Sequence, residues 1–305
     1  MISFRYHLVS LVAVFLALAL GIVVGTTALN GPITKDLRNQ VNDLKDQRDS
    51  LTAQVKALQG QVDDAGQFAS IYGSQLIADT LAGKDVLEVI LPGASGEMAD
   101  GLSAEISAAG GTVSGRISIT RAYLDPSGGT GIVELATGTG RPVGWTAPET
   151  SNADELGGSL LAYVLLGHGQ PTDLTQVLGG FAGLHMVSSN GQDISPSTTV
   201  VVLAHGGLRA HDYAGTAEES LVSALAAQQG HVVVAGDATS ASQDGLIAQV
   251  RASKEDRSAV STVDNANNPF GQVSTVLALA SAIGGQVGHY GTDQSADALF
   301  PAPSR

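Results

Sequence analysis

The side chains best suited to chemistry in this sequence are seven histidines, at positions 7, 168, 185, 205, 211, 231 and 289. No two stand four residues apart, so none forms the paired metal ligands of one helix face. His185-Met186 sets an imidazole beside a thioether, a combination that Cu(I) tolerates. His205 and His211 bracket a strand-to-helix loop, where an open sheet often binds its ligands. The plainer reading of each histidine is structural or simply exposed. With three methionines, one the initiator, and no cysteine, a thioether-rich copper relay cannot be built. A thiolate metal site and a cysteine nucleophile are excluded as well. The sequence has no G-x-S-x-G elbow, no phosphate-cradling glycine loop, no H-E-x-x-H and no Asp-rich calcium loop. The glycine-rich stretches 92–96 and 205–207 read first as tight turns, and only second as rims for a small ligand. These residues predict neither an enzyme nor a metal or cofactor site.

The elements that carry these residues alternate in type. Asp85–Leu91 reads as a strand, 97–109 as a helix stopped by Gly110-Gly111, and 112–120 as a second strand. The order recurs as strand 199–204, Gly-containing loop 205–215, helix 216–229 and strand 231–235. Further helices are expected at 71–81, 153–166, 172–178, 244–252 and 272–283. Residues 121–150, rich in Gly, Thr and Pro, read as an extended loop region. Beyond Gln286 the chain is expected to turn through 288–291 and end in a disordered Pro/Ser segment. The expected fold is α/β with a mostly parallel sheet.

The N-terminal region is of another kind. From Leu8 to Leu29 the chain has no charged residue, long enough for a helix to cross a hydrocarbon core of ~30 Å. Arg5 and the amino terminus precede it, which favours a cytoplasmic N-terminus and an extracytoplasmic body. The apolar run exceeds a usual signal-peptide core and lacks a convincing cleavage site, so it reads as a retained anchor. Ala13, Ala17, Gly21 and Gly25 recur every four residues, the small-residue face that lets helices approach closely in lipid. Asn30-Gly31-Pro32 is expected to break the helix. A 4-3 pattern then follows, with Leu37, Leu44, Leu51 and Leu58 at d and Val41, Arg48, Val55 and Val62 at a. Val at a with Leu at d favours a parallel dimer, and a polar a residue such as Arg48 helps fix register. At ~1.5 Å per residue the seam would extend about 45 Å.

The expected organisation is therefore an anchor over 1–29, a coiled coil over 30–72 and an extracytoplasmic α/β domain over 73–305. Residues 1–29 carry only Arg5, 30–72 hold five basic and six acidic side chains, and 73–305 hold nine against 23. That acidic body argues against a nucleic-acid partner, which needs clustered Lys and Arg. With six Phe, six Tyr and one Trp, the composition is unlike a transmembrane β-barrel.

Several dispersed stretches carry a resemblance. MISFRYHLVSLVAVFLALALGIVVG at the start, GSQLIADTLAGKDV at 73–86, AGGTVSGRISIT at 109–120 and STVDNANN…GQVSTVLAL…GGQVGHYGT at 261–292 resemble the actinobacterial MctB family, over essentially the whole chain. The resemblance extends to the SteB-like corynebacterial members. It implies two functions: a channel or efflux component limiting intracellular copper, or an anchored partner of a SteA-like protein in envelope assembly and cell division. It supplies no ligand motif, so copper enters by resemblance alone. An α-helical pore from one span would want a polar stripe, and this span offers only Ser10, Thr26 and Thr27. The residues favour a dimerising scaffold in the cell envelope.

Overall fold

A computed structural model of the chain describes residues 4–189, 191–205, 214–242 and 245–302, without the side chains of 26–34 and 214–216. The chain divides into two units, residues 1–64 and 65–305.

The first unit is helical. Helix α1 is assigned to Phe4–Ile77, and its apolar stretch Phe4–Gly25 is 22 residues long with none of it buried. At 1.5 Å per residue that is about 33 Å, the thickness of a hydrocarbon core. The expected break at Asn30-Gly31-Pro32 is absent: these residues are helical. A proline inside a helix withholds one backbone donor and costs about 3 kcal/mol. A long helix that keeps its other hydrogen bonds can absorb that loss.

The second unit is an open, seven-stranded sheet in the order β3-β2-β1-β4-β5-β6-β7. The strands are β1 Asp85–Ile90, β2 Thr112–Ile119, β3 Val187–Ser188, β4 Thr199–Ala204, β5 His231–Gly236, β6 Ser261–Val263 and β7 His289–Tyr290. Only β3 runs antiparallel, beside β2; the other pairs are parallel. The α/β class and the mostly parallel sheet are as the sequence implied. The sheet is covered on both faces, which is why TVVVLA and HVVVAG carry β-branched residues without polar alternation.

The strand period of two sorts these residues between two cores. Leu87, Val89, Val200, Val202, Val232 and Val234 pack on one face. Over them lie helices α5 Ala153–Leu165, α6 Pro171–Gly183 and α7 Ala214–Ala227. Val86, Val201, Leu203, Val233, Ala235 and Val263 pack on the other. That face is covered by the end of α1, by α2 Gly96–Ala108 and by α10 Pro269–Ile283. Helix α2 starts at Ser95, whose hydroxyl accepts the Glu97 N–H at 3.2 Å, an N-cap satisfying one of the helix's open donors.

Residues 121–150 are not an extended loop. They contain helix α3 Arg121–Leu124, a 3-10 turn at Pro126–Gly128 and helix α4 Gly129–Thr137. Tyr123, Ile132 and Ala136 are buried in the first core, so tertiary burial overrides the poor helix propensity of Gly and Thr. The remaining helices are α8 Leu246–Ala252 and α9 Lys254–Ala259.

The chain is held down through Ala298, and residues 303–305, the end of the Pro/Ser segment expected to be disordered, lie outside the described residues. Tyr290 bridges to Ala298, and the Arg251 guanidinium gathers this region. It donates to Thr262 Oγ1 (2.8 Å), Asp264 Oδ2 (2.9 Å), Ser295 Oγ (3.0 Å) and the Tyr290 carbonyl (2.8 Å).

Candidate functional site

Strand connections diverge between β1 and β4: β1 leads through α2 to β2 on one side, and β4 through α7 to β5 on the other. Such a switch point opens a crevice beyond the carboxyl ends of the strands. The ladders pair Ile90 with Leu203, Ala204 with Gly236 and Ala235 with Val263. Carried past the strand ends, this register sets Pro92, His205, Asp237 and Asn265 side by side. Adjacent strands lie about 4.8 Å apart.

His205 Nδ1 lies 2.8 Å from Asp237 Oδ2, and Thr239 Oγ1 donates to Asp237 Oδ1 at 2.5 Å. Burial opposes ionisation of Asp237, but hydrogen bonds from Thr239 and His205 outweigh it and hold its pKa below the ordinary carboxylate value. When the imidazole is neutral, an ionised Asp237 holds its proton on Nδ1 and leaves Nε2 as a lone-pair acceptor. Among the described residues Nε2 has no partner, and the His205 side chain is 34% exposed. At the end of the row Asn265 is buried, and its Oδ1 has no hydrogen-bond partner among the described residues.

A carboxylate behind an imidazole is how proteins orient a metal-ligating or proton-accepting histidine. The rest of such a site is lacking among the described residues, where no three His, Asp or Glu side chains gather around one point. Ser240, the nearby hydroxyl, is fully buried and donates to the Asp237 carbonyl, so it is no nucleophile. The described row offers His205 and Asp237 with no third His, Asp or Glu beside them, which does not complete a copper site.

The other described histidines serve the fold or the surface. His289 is buried between Thr262 Oγ1 (3.0 Å from Nδ1) and the Arg257 carbonyl (3.0 Å from Nε2). The carbonyl can only accept, so Nε2 carries the proton. His168 Nε2 bonds the Gln228 carbonyl at 2.9 Å. His185 sits at φ +58° and is exposed while Met186 is buried in the core, so the two do not act as a soft pair. His211 lies outside the described residues. Asp237 was not singled out by sequence reasoning; its one signal is a carboxylate directly after the buried run HVVVAG.

Buried ion pairs elsewhere brace the sheet. Glu88, fully buried on β1, accepts from Arg116 Nε at 2.7 Å and Ser103 Oγ at 2.5 Å. Arg251 and Asp264 form the second such pair, at 2.9 Å.

The residues expected from the sequence to mediate self-association all lie on α1. Ala13 and Ala17 are exposed, and an added Cβ at Gly21 or Gly25 would meet no atom within 4 Å. Leu37, Val41, Leu44, Leu51, Val55, Leu58 and Val62 are 53–64% exposed. Arg48, at the polar a position, bonds its neighbour Asp49 with a side chain 70% exposed.

Fold and site define a class: an α/β protein with a membrane-length apolar helix at its N-terminus and a His205–Asp237 pair beyond the carboxyl ends of an open, mostly parallel sheet. Over residues 1–301 the chain matches the family described as "Copper transport outer membrane protein, MctB". It is 30% identical over 308 residues to the "Copper transporter MctB" of Mycobacterium tuberculosis H37Rv, covering 97% of this chain and 98% of that protein. To the protein of the same name from Mycobacterium leprae it is 28% identical over 313 residues, covering 98% and 99%. The chain belongs to the MctB family.

Proposed function

We propose that this protein is a non-enzymatic, membrane-anchored member of the cell envelope that dimerises through a parallel coiled coil over residues 33–62. It acts as a SteB-like scaffold or regulatory partner, engaging a SteA-like membrane-associated protein in envelope assembly and cell division. Its N-terminus is cytoplasmic and its α/β domain extracytoplasmic. The observation that carries this reading is the row of seven apolar a and d residues on α1, each more than half exposed. A narrow apolar stripe of that period is the seam of a two-stranded coil and too thin for a core-facing helix. Arg5 and the uncharged span support the orientation.

A second reading is copper transport, which the names of the family and of its mycobacterial relatives carry. One structural observation favours it: His205, backed by Asp237, has an Nε2 with no partner among the described residues. Copper content and division phenotype measured in one deletion strain separate the two. The scaffold reading expects a division defect, loss of co-purification with the membrane partner, and unchanged copper. Raised cell copper with normal division would overturn it in favour of transport.

A further inference from the structure

We propose that the self-association seam continues past Val62 onto the outer face of the last turns of α1, so that Phe68, Tyr72 and Leu76 of two copies pack together. The inference rests on the dimer reading above and extends the interface from the coiled coil into the folded domain.

The segment 65–78 has two unlike faces. On the inner one Ala69 and Ile77 are buried, and the helix lies close against α10. A Cβ on Gly73 would stand 2.5 Å from Val273 Cγ2, and one on Gly66 would stand 3.8 Å from Pro269 Cδ. On the outer one Phe68, Ile71, Tyr72 and Leu76 are 59, 56, 47 and 63% exposed. The rings of Phe68 and Tyr72 lie with centroids 4.9 Å apart. The outer face cannot be buried by rolling the helix, because only glycine allows the contact with Val273 on the inner side. Among the described residues nothing covers its large apolar side chains, and an exposed apolar patch of this kind marks an interaction site.

Two facts identify that cover as a second copy. The first is register: counted on in sevens from Leu58 at d and Val62 at a, the next positions are Ala65 and Tyr72 at d, Ala69 and Leu76 at a. Tyr72 and Leu76 therefore stay on the seam, while Ala69 at a is buried, so over these turns the open side of the seam shifts towards Phe68 and Tyr72. The second is charge. The fourteen residues from 65 to 78 include no Asp, Glu, Lys or Arg, in a chain of net charge −14. Two like-charged copies approach with least electrostatic work over a neutral surface, and interface centres are depleted of charge and rich in aromatic residues.

The chain has no cysteine, so single introduced thiols report contact without background. Leu58→Cys, Leu76→Cys and Ser74→Cys are each placed in the full-length protein in membranes and treated with a short bis-maleimide. Ser74, exposed at an f position, is the control. The expected result is a covalent dimer from Leu58→Cys and Leu76→Cys in similar yield, and at least about fivefold less from Ser74→Cys, because f points away from a two-stranded seam. Tyr72→Cys serves as a second reporter and gives the same dimer even if Leu76→Cys disturbs the helix. Dimer from Leu58→Cys with both Tyr72→Cys and Leu76→Cys at the Ser74 level would overturn the extension and leave the coiled coil standing. No dimer from any position would overturn both. Equal yields from all positions would mean random collision and would also overturn the extension.

Discussion

Asp264→Ala should destabilise the α/β domain more than any surface change. Asp264 is fully buried and takes hydrogen bonds from Arg251 Nη1 (2.9 Å) and the Thr292 N–H (2.7 Å). Arg251, with a side chain 2% exposed, has no other carboxylate within 3.5 Å among the described residues; Asp293 stands 3.9 Å away. Removing one partner of a buried pair strands the other charge, which typically costs 3–5 kcal/mol. For a domain of this size each kcal/mol is worth roughly 2–4 °C, so the midpoint should fall by roughly 10 °C. The assay is urea or thermal unfolding of the full-length protein in detergent, followed by fluorescence. The single tryptophan, Trp145, is 6% exposed in the domain core, so its emission reports this unit and not α1. The double variant Arg251→Met with Asp264→Leu should recover much of the loss, because no charge then remains buried alone. A cost for Asp264→Ala below about 1 kcal/mol, or a double variant as unstable as the sum of the singles, would refute the reasoning.

Three further outcomes are expected. Gly73→Ala should cost about 1–3 kcal/mol, since the new Cβ meets the stiff, β-branched Val273 side chain at 2.5 Å; the companion change Val273→Ala should restore stability in the same unfolding assay. Burial holds the pKa of His289 below its ordinary value, outweighing the hydrogen bond to the Arg257 carbonyl, so the unfolded chain takes up the proton first as the pH falls. Its contribution is thus full above about pH 6.5 and is lost as the pH drops below that value towards the folded-state pKa; His289→Gln should flatten that slope of stability against pH, and an unchanged slope would count against it. Arg48→Leu should tighten self-association by about 1 kcal/mol, or several-fold, since an apolar a residue packs better than an exposed cation; a weaker dimer by sedimentation in detergent would contradict the heptad assignment.

The central strands were legible because Asp85–Ile90, Thr199–Ala204 and His231–Gly236 are apolar runs bounded by Gly, Pro or polar residues, as burial on both faces demands. The helix over 129–137 was hidden by its glycines and threonines; what makes it helical is the core that receives Ile132 and Ala136. Strands β3, β6 and β7, of two or three residues, are too short to show any period. Proline at position 32 misled because its effect depends on the helix around it. In the crevice, His205 was visible as a loop histidine, but its partner lies 32 residues on, and only the β4–β5 register brings the two together.

The two-residue edges of the sheet have a consequence for a protein confined to a surface. Tethering restricts neighbours to two dimensions, where unpaired backbone groups meet far more often than in solution. A long bare strand at either margin would template cross-β growth between neighbours. Here β3 and β7 end the sheet after two residues each, and β3 runs against the grain of the rest. β3 pairs with β2 only at Ser118 and Ile119, and the chain beyond it takes part of the remaining edge, the Ser195 N–H donating to the Ser114 carbonyl at 2.9 Å, so the ladder left open to a neighbour is shorter than β2 itself.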